Sequence, residues 1–138
     1  MIGLDTNILA RYYIQDESDL EAGNQHLAAK KLIESGETLF ICKTVMLEFE
    51  WVMRGYYRFE LDQICSVFKN LLSQNHIKVE DKVCVMQALV SFEKGLDFAD
   101  ALHLASCKGC TELASFDDKK FARRAKRNSL LPNVIVPK

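Results

Sequence analysis

Four acids in this chain are placed where carboxylates commonly do chemistry: Asp5, Glu48, Asp100 and Asp117. Asp5 closes the short apolar run MIGL, and Asp117 directly follows ELASF at 112–116; both runs read as strands. Ligands of open α/β sheets collect beyond the carboxyl ends of strands. Asp is also a common helix cap, and both acids precede helical stretches, so each has a structural alternative. Placed on a helix, Glu48 has Thr44, Val45, Trp51 and Val52 three and four residues away. A carboxylate on so apolar a stripe needs a partner, a metal or a proton, so Glu48 is expected to face inward, the alternative being a place at the edge of the stripe with its head in solvent. Glu50, with Arg54 four residues on, is expected to be the solvated acid of an exposed pair. In DFADALHLA, 97–105, Asp97 fits an N-cap and puts Asp100 in the first helical turn, where the helix dipole favours a carboxylate.

Gathered at one place, four carboxylates repel and their pKa values rise. A hard divalent cation removes that conflict. Mg²⁺ takes oxygen ligands and keeps several waters, so a few carboxylates suffice. Sites of this kind hydrolyse phosphodiesters by activating water and bracing the leaving oxygen.

The elements that must position these acids follow from periodicity. Strands are expected at 1–4, 39–42, 76–80, 112–116 and 134–136, the first as a buried strand. Helices are expected over 6–14, from the cap-type DESD at 16–19 to Ser35, over 44–57 from a Thr44 cap, and over 61–72, 81–92, 97–107 and 117–126. Gly36, Gly95 and Gly109 serve as stops. On the second helix Leu20, Leu27, Ala28, Leu32 and Ile33 recur at helical spacing. Short strands alternating with longer helices predict an α/β fold, a parallel sheet covered by helices.

With 138 residues the chain is expected to be one domain. Hydrophobic residues at 49% and charged residues at 27% exclude a mainly disordered chain. No apolar run reaches the length of about 20 residues that a membrane span requires. The start, MIGLDTN, lacks the basic and apolar regions of a secretory leader. Five cysteines, Cys42, Cys65, Cys84, Cys107 and Cys110, are an odd set scattered through apolar segments, which predicts reduced thiols and a cytoplasmic protein. A net charge of -1 gives no global attraction to nucleic acid, so any such binding must be local.

LDTN at 4–7, LEFEW at 47–51, DFADALHLA at 97–105 and SFD at 115–117 together resemble the PIN-domain nucleases, VapC-type toxins of bacterial toxin–antitoxin pairs in particular. The resemblance runs along essentially the whole chain, and the joint occurrence of its first and third motifs is what makes it specific. It implies a single PIN-like domain over 1–138, with a short central parallel sheet of about four to five strands flanked by helices. It implies a metal-dependent endoribonuclease in which Asp5, Glu48, Asp100 and Asp117 form the acidic quartet. Asp5, Asp100 and Asp117 would be the ligands of Mg²⁺ or Mn²⁺. Thr6, Asn7 and Ser115 would support them by hydrogen bonds. The implied reaction is RNA hydrolysis by water, leaving a 5′-phosphate and a 3′-hydroxyl. The implied partners are RNA, a cognate antitoxin and a second copy of the chain, through the apolar stripes of 20–33 and 45–57, with no membrane. Two positions depart from the pattern. Ser115 stands where the family usually has Thr, and FDDKKF leaves Asp117 and Asp118 competing for the fourth acid; Asp117 is chosen because it follows the strand.

The run KKFARRAKR, 119–127, carries six cations and no acid. Lys119, Lys120, Arg123 and Arg124, with Arg11 two turns after Asp5, are candidates for RNA phosphate contacts, against the alternative of a solvated helix face. Cys107 and Cys110 have CxxC spacing, but they close a helix rather than open one, and further zinc ligands are not evident. His103 shares a face with Asp100 and is expected to be a buried, hydrogen-bonded histidine. Tyr12, Tyr13, Trp51, Tyr56 and Tyr57 could stack on bases, with core or interface packing the default. A P-loop is absent from the sequence. The reading from a different class is a PIN-like domain that binds RNA or protein without cutting it.

Overall fold

The computed structural model describes residues 1–138. The chain forms two compact units, Met1–Lys82 and Val83–Lys138.

The first unit carries β1 (Ile2–Gly3), α1 (Thr6–Tyr13), α2 (Leu20–Ile33), β2 (Leu39–Ile41), α3 (Lys43–Trp51), α4 (Leu61–Ser73) and β3 (Ile77–Val79). Its strands form a parallel sheet in the order β1-β2-β3, with Ile2 opposite Leu39 and Leu39 opposite Ile77. Parallel pairing follows from the helices that return the chain between strands. Leu39, Ile41, Ile77 and Val79 are buried, and Lys78 between the last two is exposed, the alternation of a half-covered strand. Leu9 of α1, Met46 and Phe49 of α3, and Ile64, Phe68 and Leu71 of α4 fill the core. The Phe49 ring lies 6.1 Å from Tyr13 and 6.2 Å from Phe68.

Local chemistry sets the boundaries. Asp19 accepts the Glu21 N–H at 3.0 Å to start α2, and the Glu60 N–H donates to Gln63 Oε1 at 2.8 Å where α4 begins. Past the end of α2, Gly36 takes φ +86°, a conformation that favours glycine. The third helix differs from expectation at both ends. Cys42, not Thr44, occupies its N-cap, and after Trp51 the chain widens into a π-helical turn, Val52–Tyr56, closed by the Tyr57 N–H on the Val52 carbonyl at 3.1 Å.

Two expectations of burial are corrected. Residues 1–4 are not a buried strand: β1 is an edge strand with Ile2 41% exposed, and only Leu4 is buried. On α2 the buried face is Ala22, Ala29 and Ile33, whereas Leu20 and Leu27 lie in solvent. Small alanines let the helix pack closely, and the larger leucines fall on the other side.

The second unit holds all of α5 (Lys82–Glu93) but its first residue, and continues through α6 (Phe98–Ser106), β4 (Glu112–Ala114), a π-helical turn at Asp118–Ala122, α7 (Arg123–Arg127) and β5 (Asn133–Ile135). Gly95, at φ +103°, makes the turn between α5 and α6. The β4 and β5 strands pair in parallel, Glu112 opposite Asn133. Val85, Ala88, Phe92, Phe98, Leu104 and Phe121 are buried, with the Phe92 and Phe98 rings 5.3 Å apart. The α/β class is as expected, but the strands are divided into a sheet of three and a pair rather than one sheet of four to five. No helix is long and apolar enough to cross a membrane.

Candidate active site

In the first unit an open cavity of about 450 Å³ is lined by Asp5, Thr6, Arg11, Glu48, Trp51 and Tyr56, with Asn7 on the same wall. Asp5 stands between β1 and α1 and caps that helix, its Oδ1 accepting the Thr6 N–H at 2.7 Å. Glu48 projects from α3. Its carboxylate is exposed and takes part in no hydrogen bond or ion pair. The expected contrast with Glu50 is reversed: Glu50 is 1% exposed, and Glu48 is the acid in solvent. The reason lies in the neighbours. Glu50 sits between Met46 and Met53, both fully buried, whereas the Trp51 beside Glu48 is 58% exposed. The expected partner of Glu50 is correct, since Arg54 Nε donates to it at 2.7 Å.

Thr6 is buried, and its Oγ1 has no hydrogen-bond partner. Arg11 is anchored at the wall: its Nε donates to Gln25 Oε1 at 2.7 Å, and its Nη1 lies 3.8 Å from Asp16. Asp16 and Asp19 also line the cavity. As sequence, DESD shows only capping residues, and no periodicity could have marked Asp16 as a cavity residue.

In the second unit Asp100 lies in the first turn of α6, half-buried. Burial pushes its carboxyl pKa up, and the charges of Asp97 and Asp117 push it further, against smaller opposing effects of His103 and Arg124. Asp97 occupies the N-cap position, but its side chain makes no capping bond, so its charge is left to act on Asp100. Asp117 Oδ1 accepts the Lys120 N–H at 2.9 Å, and that bond is the main cause of its lowered pKa. Ser115 Oγ accepts the Asp117 N–H at 3.0 Å. Asp118 is committed elsewhere, to Arg123 at 3.2 Å. His103 is exposed, not buried as expected.

The basic run is mixed. Lys119 and Lys120 are exposed, Arg123 pairs with Asp118, and Arg124 Nη1 donates to the Gly95 carbonyl at 3.3 Å. Cys107 and Cys110 are free thiols in a tight turn, with the Cys110 N–H on the Cys107 carbonyl at 2.8 Å.

Thus Asp5 and Glu48 share one cavity, and Asp100 and Asp117 share one electrostatic environment. No three His, Cys, Asp or Glu side chains form a ready-made metal cluster. The donors nevertheless suit a hard cation in kind. They are carboxylate oxygens in pairs, one acid lacks any partner, and a buried hydroxyl beside Asp5 has none either. Mg²⁺ fits such a set because it retains much of its water.

Among known proteins, a VapC ribonuclease of Aquifex aeolicus (strain VF5) is 28% identical to this chain over 116 residues, covering 82% of this chain and 84% of that protein. No solved structure matches it significantly. The family model of the PIN domain matches residues 2–127, a span that holds all four acids, and the chain therefore belongs to the PIN domain family.

Proposed function

We propose that this chain is a Mg²⁺-dependent endoribonuclease, with Mn²⁺ able to substitute, and the toxin of a type II toxin–antitoxin pair. The observation that carries the reading is the placing of Asp5 and Glu48 on one open cavity, with no cation paired to either. The 28% identity to a VapC ribonuclease over most of both chains supports it.

Asp5, Asp100 and Asp117 would hold the metal, and Glu48 would complete the catalytic acids. A bound Mg²⁺ would supply a lowered water pKa and stabilisation of charge on the phosphate. Glu48, free of any partner, accepts a proton from the attacking water. The Thr6 N–H fixes Asp5 Oδ1, and Ser115 fixes the Asp117 backbone, so two of the acids are oriented before substrate arrives. Asn7 presents an amide on the same wall as Asp5. Arg11, Lys119, Lys120, Arg123 and Arg124 contact phosphates, giving salt-dependent binding. Residues 1–138 act as a single domain in the cytoplasm, as a homodimer regulated by a cognate antitoxin.

The test is cleavage of a panel of structured RNAs, transfer RNAs included, in Mg²⁺, Mn²⁺ or EDTA, beside an Asp5→Asn variant. Cutting that requires both metal and Asp5 is the expected result. RNA binding with no cutting under any of these conditions replaces the reading with a non-catalytic PIN domain.

A further inference from the structure

We propose that the Trp51 indole is a stacking platform for a nucleobase of the RNA, immediately beside the Asp5 and Glu48 carboxylates. The inference rests on the nuclease reading of that cavity and specifies how the cavity grips its substrate. Trp51 is not a core residue: it is 58% exposed and lines the cavity with both acids.

Its ring is held from behind. A Cβ built on Gly55 would lie 3.4 Å from Trp51 Cε2 and 3.7 Å from Cδ2 and Cζ2, so the side-chain-free surface of Gly55 backs the indole one turn along. A flat ring braced on one side and solvated elsewhere loses little entropy when a second flat group stacks on it. Tyr56, 71% exposed, continues the wall, and its ring lies 4.8 Å from that of Tyr57 at 70°. Tyr57 is in turn tied to Asp16 Oδ2 at 3.3 Å.

The charged groups of the cavity leave one part of a nucleotide without a partner. A cation on the carboxylates and Arg11 would answer the phosphates, and neither reaches a base, so a grip on the base must come from another face of the cavity. Stacking on a neutral π-face supplies it for any base. The combination of flat aromatic faces, free carboxylates and Arg11 on one wall matches the parts of a nucleotide better than those of a peptide. A base in a duplex is stacked on both sides, so the base that reaches Trp51 comes from a single strand, loop or bulge.

Trp51 is the sole tryptophan of the chain, which makes its fluorescence a direct reporter. The Asp5→Asn protein in Mg²⁺ is titrated with single-stranded RNA oligonucleotides in which one abasic position is moved along the strand, while anisotropy of an end label reports binding. The expected result is quenching of Trp51 on binding. One abasic position abolishes the quench and weakens binding about tenfold. Trp51→Ala weakens binding of the intact strand by a similar factor, and Trp51→Phe recovers most of the loss. Binding with unchanged tryptophan emission, binding indifferent to every abasic position, or no RNA binding each overturns the proposal. Metal-dependent cutting without quenching removes the platform and leaves the nuclease, whereas quenching without cutting by the wild type does the reverse.

Discussion

Arg54 reaches back one helical turn to Glu50, with Nε 2.7 Å from Oε2 and Nη2 3.3 Å from Oε1, and fixes in the core an acid only two residues from the solvent-facing Glu48. The two glutamates therefore have separable roles. Arg54→Ala leaves a buried carboxylate without its charged donor and is expected to cost about 2 kcal/mol in urea unfolding. Glu48→Gln touches no partner and is expected to stay within about 0.5 kcal/mol of wild type while RNA cleavage is lost. Equal destabilisation by both changes would contradict this division.

Asp5→Asn is expected to reduce cleavage by at least about a hundredfold, the scale on which one group stabilising developing charge acts. Asn is as good an N-cap as Asp, so the melting temperature should be nearly unchanged. Cleavage assays paired with thermal melts on the same preparation check both halves.

Mg²⁺ binding should itself be visible as stability. At a concentration one hundred times Kd, a ligand specific to the folded state adds about 2.7 kcal/mol. Melting temperatures in Mg²⁺ against EDTA should differ for wild type and not for Asp100→Asn. A shift of the same size in both would place the ion elsewhere.

The raised pKa of Asp100 has a definite sign for the metal-free protein. Its folded carboxyl holds a proton more tightly than the unfolded chain does, because burial, Asp97 and Asp117 all oppose its charge. Its ionisation therefore works against folding, and stability falls as pH rises through the folded-state value. In EDTA, Asp100→Asn should melt above wild type at neutral pH, and the gap should close as pH drops below the ordinary carboxylate range. Asp117 acts in the opposite sense. Its lowered pKa, set mainly by the Lys120 N–H, adds stability that is lost in acid.

Gly55 separates two effects of adding a side chain. Its Cβ would sit at an ordinary contact distance, 3.4 Å from Trp51 Cε2, so Gly55→Ala is expected to be tolerated and to gain up to about 1 kcal/mol of helical stability. Gly55→Leu extends further and must displace the indole. A shifted tryptophan emission maximum for leucine but not for alanine is the expected observation.

The alternation of strands and helices was legible because it rests on local periodicity, and so were the capping of α1 by Asp5 and the glycine stops at Gly36 and Gly95. The exposure of acids was less so. Counting apolar neighbours assigned Glu48 to the core, because Trp51 and Val52 were counted as interior residues. The buried positions are instead 46, 49, 50 and 53, a face chosen by packing of the whole unit. Which leucines of α2 meet the core depends in the same way on what packs against that helix. Between Asp117 and Asp118, the only guide in FDDKKF is that Asp117 comes first after the strand. In the structure Asp117 accepts a backbone bond and Asp118 a salt bridge, contacts that no local pattern announces.

The π-helical turn after Trp51 fixes the direction in which α3 presents its side chains. The Tyr57 N–H skips one residue further back than in an α-helix, so the segment holds one amino acid more than a regular helix of the same hydrogen bonding. That extra residue sets the rotation of α3 relative to the chain that follows it. Deleting it would turn everything upstream on α3 by about 100° relative to the chain beyond Tyr57, carrying Glu48 away from its wall. The wide turn thus works as a rotational spacer that aims the acid of this helix.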